Sequence, residues 1–217
     1  MATETSWVAI LGAASGLSAI FLRLVDYVRK PRLVMGAPYA RVWRFPSGIT
    51  WNFINLEATC RGGLAAACEA KAIVIRHPKN VSLVRELTEV GCGLHWADIP
   101  YSGRSTGVDR VDIGSAPQRL DVAFTVPSLN AQAHLAMPIA LSALTNNPNI
   151  PVPQTIFPLG EYVLKITINS ANAKGDTKTI RLLSSQNWQD MNVERIRWYE
   201  LVCIEINWRL GRLLNKP

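Results

Sequence analysis

Tyr162-Val-Leu-Lys-Ile-Thr-Ile-Asn169 is the stretch that decides the fold. Leu164, Ile166 and Ile168 alternate with Lys165, Thr167 and Asn169, a period of two that sets apolar and polar side chains on opposite faces of a strand. Leu120, Val122, Phe124 and Val126 repeat the arrangement, with Asp121 and Thr125 opposite. One face of each strand therefore requires a core. Outward from these two stretches, short segments rich in Val, Ile, Thr and aromatic residues run from Pro31 to about residue 185, separated by Gly, Pro, Asn and Ser. Strands are expected at Arg32–Met35, Tyr39–Arg44, Thr50–Thr59, Lys71–Arg76, Leu94–Ala97, Arg119–Pro127, Ala133–Leu141, Tyr162–Asn169 and Thr177–Leu183. Most of them have no helical repeat between them, which argues against a βαβ fold and for a mainly β domain, an antiparallel β-sandwich over residues 31–188. Val81–Glu89 fits a helical turn between strands, with an ambiguous period.

From Asp190 the period changes. Val193, Ile196, Tyr199, Cys203, Ile206, Leu210 and Leu213 follow helical spacing and predict an amphipathic C-terminal helix within residues 189–217. Alternation across Val202, Ile204, Ile206 and Trp208 also fits a strand. Such a helix could pack on the sandwich, lie in a membrane interface or form a coiled coil. At the other end, Thr5–Leu22 is 18 residues long and free of charge. As a helix it is about 27 Å long, close to the roughly 30 Å hydrocarbon core of a bilayer. Residues 1–30 are thus expected to be an N-terminal transmembrane helix with a basic flank, contacting the membrane through residues 6–25. Gly12 and Gly16 have the spacing that lets two such helices self-associate.

The net charge of +7 would ordinarily suggest nucleic acid. Its distribution suggests otherwise: residues 1–22 carry −1, residues 23–44 carry +5, and the remainder carries +3. A basic block beside an uncharged stretch is a membrane-flanking pattern, and it predicts an inner-membrane, single-pass protein with its N-terminus out and its bulk cytoplasmic. Aromatics are not interleaved with a basic patch, and Arg104 with Arg110 define no groove, so no nucleic acid partner is expected. With 48% hydrophobic and 18% charged residues, the chain is unlike disordered, collagen-like or disulfide-dense sequences.

His77, His95 and His134 fall in no recognisable nucleophile signature. Cys92-Gly-Leu-His95, with Cys60 and Cys68, could supply four metal ligands, but structural zinc normally shows two closely spaced pairs and this chain has one. The cysteines read instead as small, partly buried strand and turn residues. Glu86 with Glu89 and Asp109 with Asp112 are carboxylate pairs in turn-rich, charged segments, where solvated surface is expected. No phosphate-binding loop or dinucleotide fingerprint is present. No catalytic residue, metal ligand or cofactor is assigned.

Several short motifs run through the body: Lys30-Pro-Arg-Leu33, Thr59-Cys-Arg-Gly-Gly-Leu-Ala-Ala-Ala-Cys68, Leu94-His-Trp96, Arg119-Leu-Asp-Val-Ala-Phe124 and Leu159-Gly-Glu-Tyr162. Through them the chain resembles an uncharacterised prokaryotic family in which one N-terminal membrane anchor precedes an immunoglobulin-like β-sandwich. Arg61 and Gly62 depart from that family's Asn-x-Gly turn. The resemblance implies a fold and an anchored layout, and no activity. The function expected is that of a non-enzymatic interaction or scaffolding module with a protein partner, binding through edge strands and the loops at Pro100–Val108 and Asn146–Pro153. The alternative is a ligand-binding sandwich of the carbohydrate-binding kind, exported if the topology is inverted.

Overall fold

Two long strands organise the chain, β3 (Thr50–Arg61) and β4 (Ala65–Arg76), joined by a turn at Gly62 and Gly63. Both glycines have positive φ, 82° and 146°, which a side chain at either position would resist. The structure, a computed structural model, describes residues 18, 20, 30–44, 50–83, 85–97, 99, 109–125, 133–136, 156–185 and 191–214. The other strands among these are β1 (Arg32–Met35), β2 (Tyr39–Arg44), β5 (Cys92–Gly93), β6 (His95–Trp96), β7 (Val111–Ile113), β8 (Gln118–Thr125), β9 (Ala133–Leu135), β10 (Ile156–Phe157), β11 (Gly160–Asn169), β12 (Asp176–Ser184) and β13 (Asn192–Arg195). A short π-helix spans Glu86–Val90, and α1 spans Trp198–Leu214.

The strands form two antiparallel sheets, and β3 and β4 fall in different ones. In the first, β1 and β2 both pair with β3, β3 pairs with β8, and β8 pairs with β6 and β9, the latter continuing to β10. In the second, the order is β13-β12-β11-β4-β5, with β7 also on β4. Leu33, Leu56, Trp96 and Leu120 of the first sheet share one buried cluster with Val74, Leu164, Ile166, Ile168, Ile180 and Leu182 of the second. The alternation expected of Leu164, Ile166 and Ile168 is therefore the core face of β11. Lys165 lies on the other face, where Ile75 and Val163 pack with Ile196 and Ile204 beneath α1.

At Tyr162 the chain turns a buried corner. The phenol donates a 2.9 Å hydrogen bond to the Pro158 carbonyl, and burial pushes its pKa up to about 12. Gly160 precedes it at φ 142°, where a Cβ would come within 2.5 Å of Pro78 Cγ. The turn that the sequence places at Pro158–Tyr162 is thus set by a residue that only glycine satisfies.

Several expectations are corrected. No helix among the described residues is long and apolar enough to cross a membrane. That overturns the single-pass membrane reading; the longest helix among the described residues, α1, carries Glu200, Glu205, Arg209 and Arg212. The expected anchor lies outside the described residues except for Ser18 and Ile20, both helical, and so do Gly12 and Gly16. The C-terminal helix begins at Trp198, and Val193 belongs to strand β13. Phe124 does not share a face with Leu120 and Val122. A β-bulge at Val122 on β8, where consecutive Ile54 and Asn55 of β3 pair with Ala123 and Asp121, breaks the period of two.

Candidate functional site

The face of the first sheet that points away from the core cluster carries polar chemistry. Leu56, Leu120 and Trp96 point inward, so their neighbours Asn55, Asp121 and His95 point outward. The register places them in one row, Asn55 opposite Asp121 and Asp121 opposite His95. Asn55 Nδ2 donates to Asp121 Oδ1. His95 Nδ1 lies 2.5 Å from Asp109 Oδ2, which also accepts from the Trp96 backbone N–H at 3.3 Å. A carboxylate only accepts, so the ring donates from Nδ1.

Asp109 is not the solvated carboxylate expected from the sequence. Its side chain is 1% exposed and that of His95 is 2% exposed, so the pair is closed to a substrate as it stands and fastens β6 to the segment before β7. Sequence reasoning missed the pairing because the two residues lie 14 positions apart across a strand end. Asp112 accepts from the backbone N–H of Ala67 at 2.8 Å, supporting a residue held at φ 48°. Glu89 pairs with Arg85 at 2.5 Å on the surface.

Among the described residues, no group of three or more His, Cys, Asp or Glu could hold a metal ion. Cys92 joins the core through the second sheet while His95 faces out of the first, so the spacing that suggested ligation does not bring their side chains together. Cys60 and Cys68 are buried, and burial pushes both thiols up. The loops Pro100–Val108 and Asn146–Pro153 lie outside the described residues.

Two surfaces stay open among the described residues. The first is β2, whose far edge pairs with no strand among the described residues. Val42 and Trp43 on it are 62% and 39% exposed, and the Arg41 guanidinium stacks 4.5 Å from the Trp43 ring centroid. By register Trp43 lies opposite Trp51 and Arg41 opposite Phe53. Trp51, Phe53 and Phe124 stack on one another but are buried, so Trp43 is the ring of this row that solvent reaches.

The second surface is α1. Its inner face, Leu201, Ile204 and Trp208, packs on Ile75, Val163 and Ile196. Lys165 Nζ bonds Glu205 at 2.6 Å, and Arg181 bonds Glu200 at 2.6 Å. These two ion pairs fix which side of the helix meets the sheet. The stripe singled out in the sequence, Tyr199, Cys203, Ile206 and Leu210, is consequently the outer face and is exposed, together with Trp198 and Val202.

The hydrogen bond from Lys165 holds the Glu205 carboxyl below the usual carboxylate range, against the opposing effect of burial. A depressed folded-state pKa contributes stability that is complete above the unfolded value and lost as pH falls through the folded one. Acidification below the ordinary carboxylate range is therefore expected to loosen α1 first, read as increased amide exchange over 198–214. Glu205→Gln should flatten that part of the pH profile; an unchanged profile in the variant would reject the assignment.

Compared with known proteins, the chain matches no protein-family model and no curated protein.

Proposed function

We propose that this chain is a non-enzymatic interaction module, an immunoglobulin-like sandwich that accepts an extended segment of a protein partner along the open edge of β2. Two features support the immunoglobulin-like reading. The order β1/β2-β3-β8-β6 against β12-β11-β4-β5 corresponds to strands A-B-E-D and G-F-C-C′ of that fold. Tyr162, at the start of the strand in the F position, bonds back to the Pro158 carbonyl as a tyrosine corner does. The resemblance of the Leu159–Tyr162 motif to the anchored prokaryotic sandwich family points the same way.

The open edge of β2 carries the functional reading. An edge with no strand neighbour among the described residues offers a row of backbone donors and acceptors, and strand addition uses them for affinity and the side chains for choice of partner. Arg41 and Arg44 discourage edge-to-edge pairing between identical copies and favour a segment bearing Asp or Glu. Selection from a random peptide library is expected to enrich β-branched, acidic sequences. The double variant Arg41→Glu/Arg44→Glu should weaken a selected peptide by about tenfold or more, equivalent to about 1.4 kcal/mol. Selected peptides indifferent to both substitutions would sink the proposal.

A further inference from the structure

We infer that the cleft between the end of β4 and the flank of α1 is a binding site for a small organic carboxylate with a flat apolar body. The open edge of β2 belongs to the first sheet and this cleft to the second, so the two proposals stand or fall separately. The cleft has a volume of about 450 Å³ and is lined by Ile75, Arg76, Ile204, Asn207 and Trp208. One water takes roughly 30 Å³ of the liquid and small-molecule sites run from about 300 to about 1,000 Å³, so the space suits a body larger than a simple ion. Ile75 and Ile204 belong to the apolar cluster beneath α1, and Trp208 packs against it. They supply an apolar floor and one flat wall, with Lys165 Nζ 5.3 Å from the Trp208 ring centroid. Arg76 and Asn207 form the polar side of the lining, and neither side chain takes an ion pair or hydrogen bond among the described residues.

Charge selects the ligand. Arg181 and Arg76 both lie opposite Val163, one on each side of β11. Arg181 is met by Glu161, Glu194 and Glu200, whereas no carboxylate among the described residues meets Arg76. Beside the cleft, Lys165 and Arg209 share the one carboxylate of Glu205. With Arg76 that makes three cations to one anion, a surplus that a negatively charged ligand offsets. A guanidinium presents parallel N–H donors, which the two oxygens of a carboxylate accept together.

The helix leaves this side bare. Ile204, Asn207, Trp208 and Gly211 are three, one and three residues apart and share one stripe of α1. Helical side chains lean toward the helix N-terminus, so a side chain at position 211 would lie over residues 207 and 208 and across the cleft. A Cβ at Gly211 would meet nothing within 4 Å among the described residues, so their packing does not call for glycine. Glycine weakens a helix interior, and what it secures here is an unobstructed cleft.

The test follows the Trp208 indole N–H of the full chain by heteronuclear NMR, assigned by its loss in Trp208→Phe, while benzoate, naphthoate and indoleacetate are added in turn. At least one of these acids should shift that resonance saturably, and its carboxamide should bind roughly tenfold or more weakly. Arg76→Gln should weaken the acid by the same factor and leave the carboxamide unchanged. Lys71→Gln, which removes an exposed charge farther along β4, should leave both unchanged. Gly211→Leu should abolish the saturable shift and Gly211→Ala preserve it, with helix content by circular dichroism retained in both. A tripeptide ending in a free tryptophan separates two sources of the carboxylate: tighter binding than indoleacetate places it on a polypeptide terminus, weaker binding on a free small molecule. The site is overturned if every acid binds more weakly than about 1 mM, if acid and carboxamide bind alike, or if Arg76→Gln binds the acid as the wild type does. Undiminished binding by Gly211→Leu overturns its placement against α1.

Discussion

Asp109→Ala is expected to destabilise the chain by about 3–5 kcal/mol, because it removes one partner from a pair that is closed to solvent on both sides. Asp109 Oδ2 is held 2.5 Å from His95 Nδ1 and also accepts from the Trp96 N–H. Alanine leaves both donors without the carboxylate, in a place where water does not replace it. Asn in the same position retains a carbonyl oxygen for one of them, so Asp109→Asn should cost less, about 1–3 kcal/mol. Urea unfolding at neutral pH separates the two. The transition midpoint should fall in the order wild type, Asn, Ala, with the slope unchanged if the denatured state is the same. Amide exchange at Trp96 should accelerate in the Ala variant beyond what global unfolding explains. An Ala variant within about 1 kcal/mol of wild type would mean that the pair is not a fastening of β6.

The elements that were legible in the sequence are those with one buried face. Leu164, Ile166 and Ile168 meet the core while Lys165 reaches the Glu205 carboxylate on α1, so the period of two is written in the residues themselves. β3 is different. Trp51, Asn52, Phe53, Ile54, Asn55 and Leu56 are all buried, because both faces of that strand are covered, and alternation then disappears from the sequence. On β8 the bulge at Val122 hides it as well, by sending Phe124 to the face of Trp51 and Phe53.

The candidate sites were legible only in part, for the same kind of reason. Periodicity locates the stripe on α1 but cannot say which way it faces when the helix has apolar residues on two sides. The decision is made by Lys165 and Arg181, which reach α1 from β11 and β12 through contacts that no local pattern contains. The row of Asn55, Asp121 and His95 is assembled from three strands, with Asn55 and Asp121 66 positions apart. Each residue alone reads as an ordinary polar position. Conversely, Pro158–Tyr162 was legible as a turn because its geometry lies within five consecutive residues, and the Tyr162 bond back to Pro158 is part of that same local unit.

Trp96→Ala should be as damaging as Asp109→Ala, about 3–5 kcal/mol, by a different mechanism. Trp96 heads the fully buried side chains and sits in the cluster shared by the two sheets. Its removal leaves a cavity lined by residues of both sheets, which are held by their ladders and collapse only partly into the space. Yet its indole Nε1 finds no hydrogen-bond partner among the described residues. A buried donor left unsatisfied costs about 1–3 kcal/mol, so the wild-type side chain gives up part of what its burial contributes. Trp96→Phe keeps most of the apolar volume and deletes the orphan donor. Those two effects oppose each other, and Trp96→Phe should lie within about 1.5 kcal/mol of wild type, far from the Ala variant. Urea unfolding of both variants followed by circular dichroism makes the comparison. If Phe costs as much as Ala, the indole N–H is satisfied, and the position is held by that hydrogen bond and not by packing between the sheets.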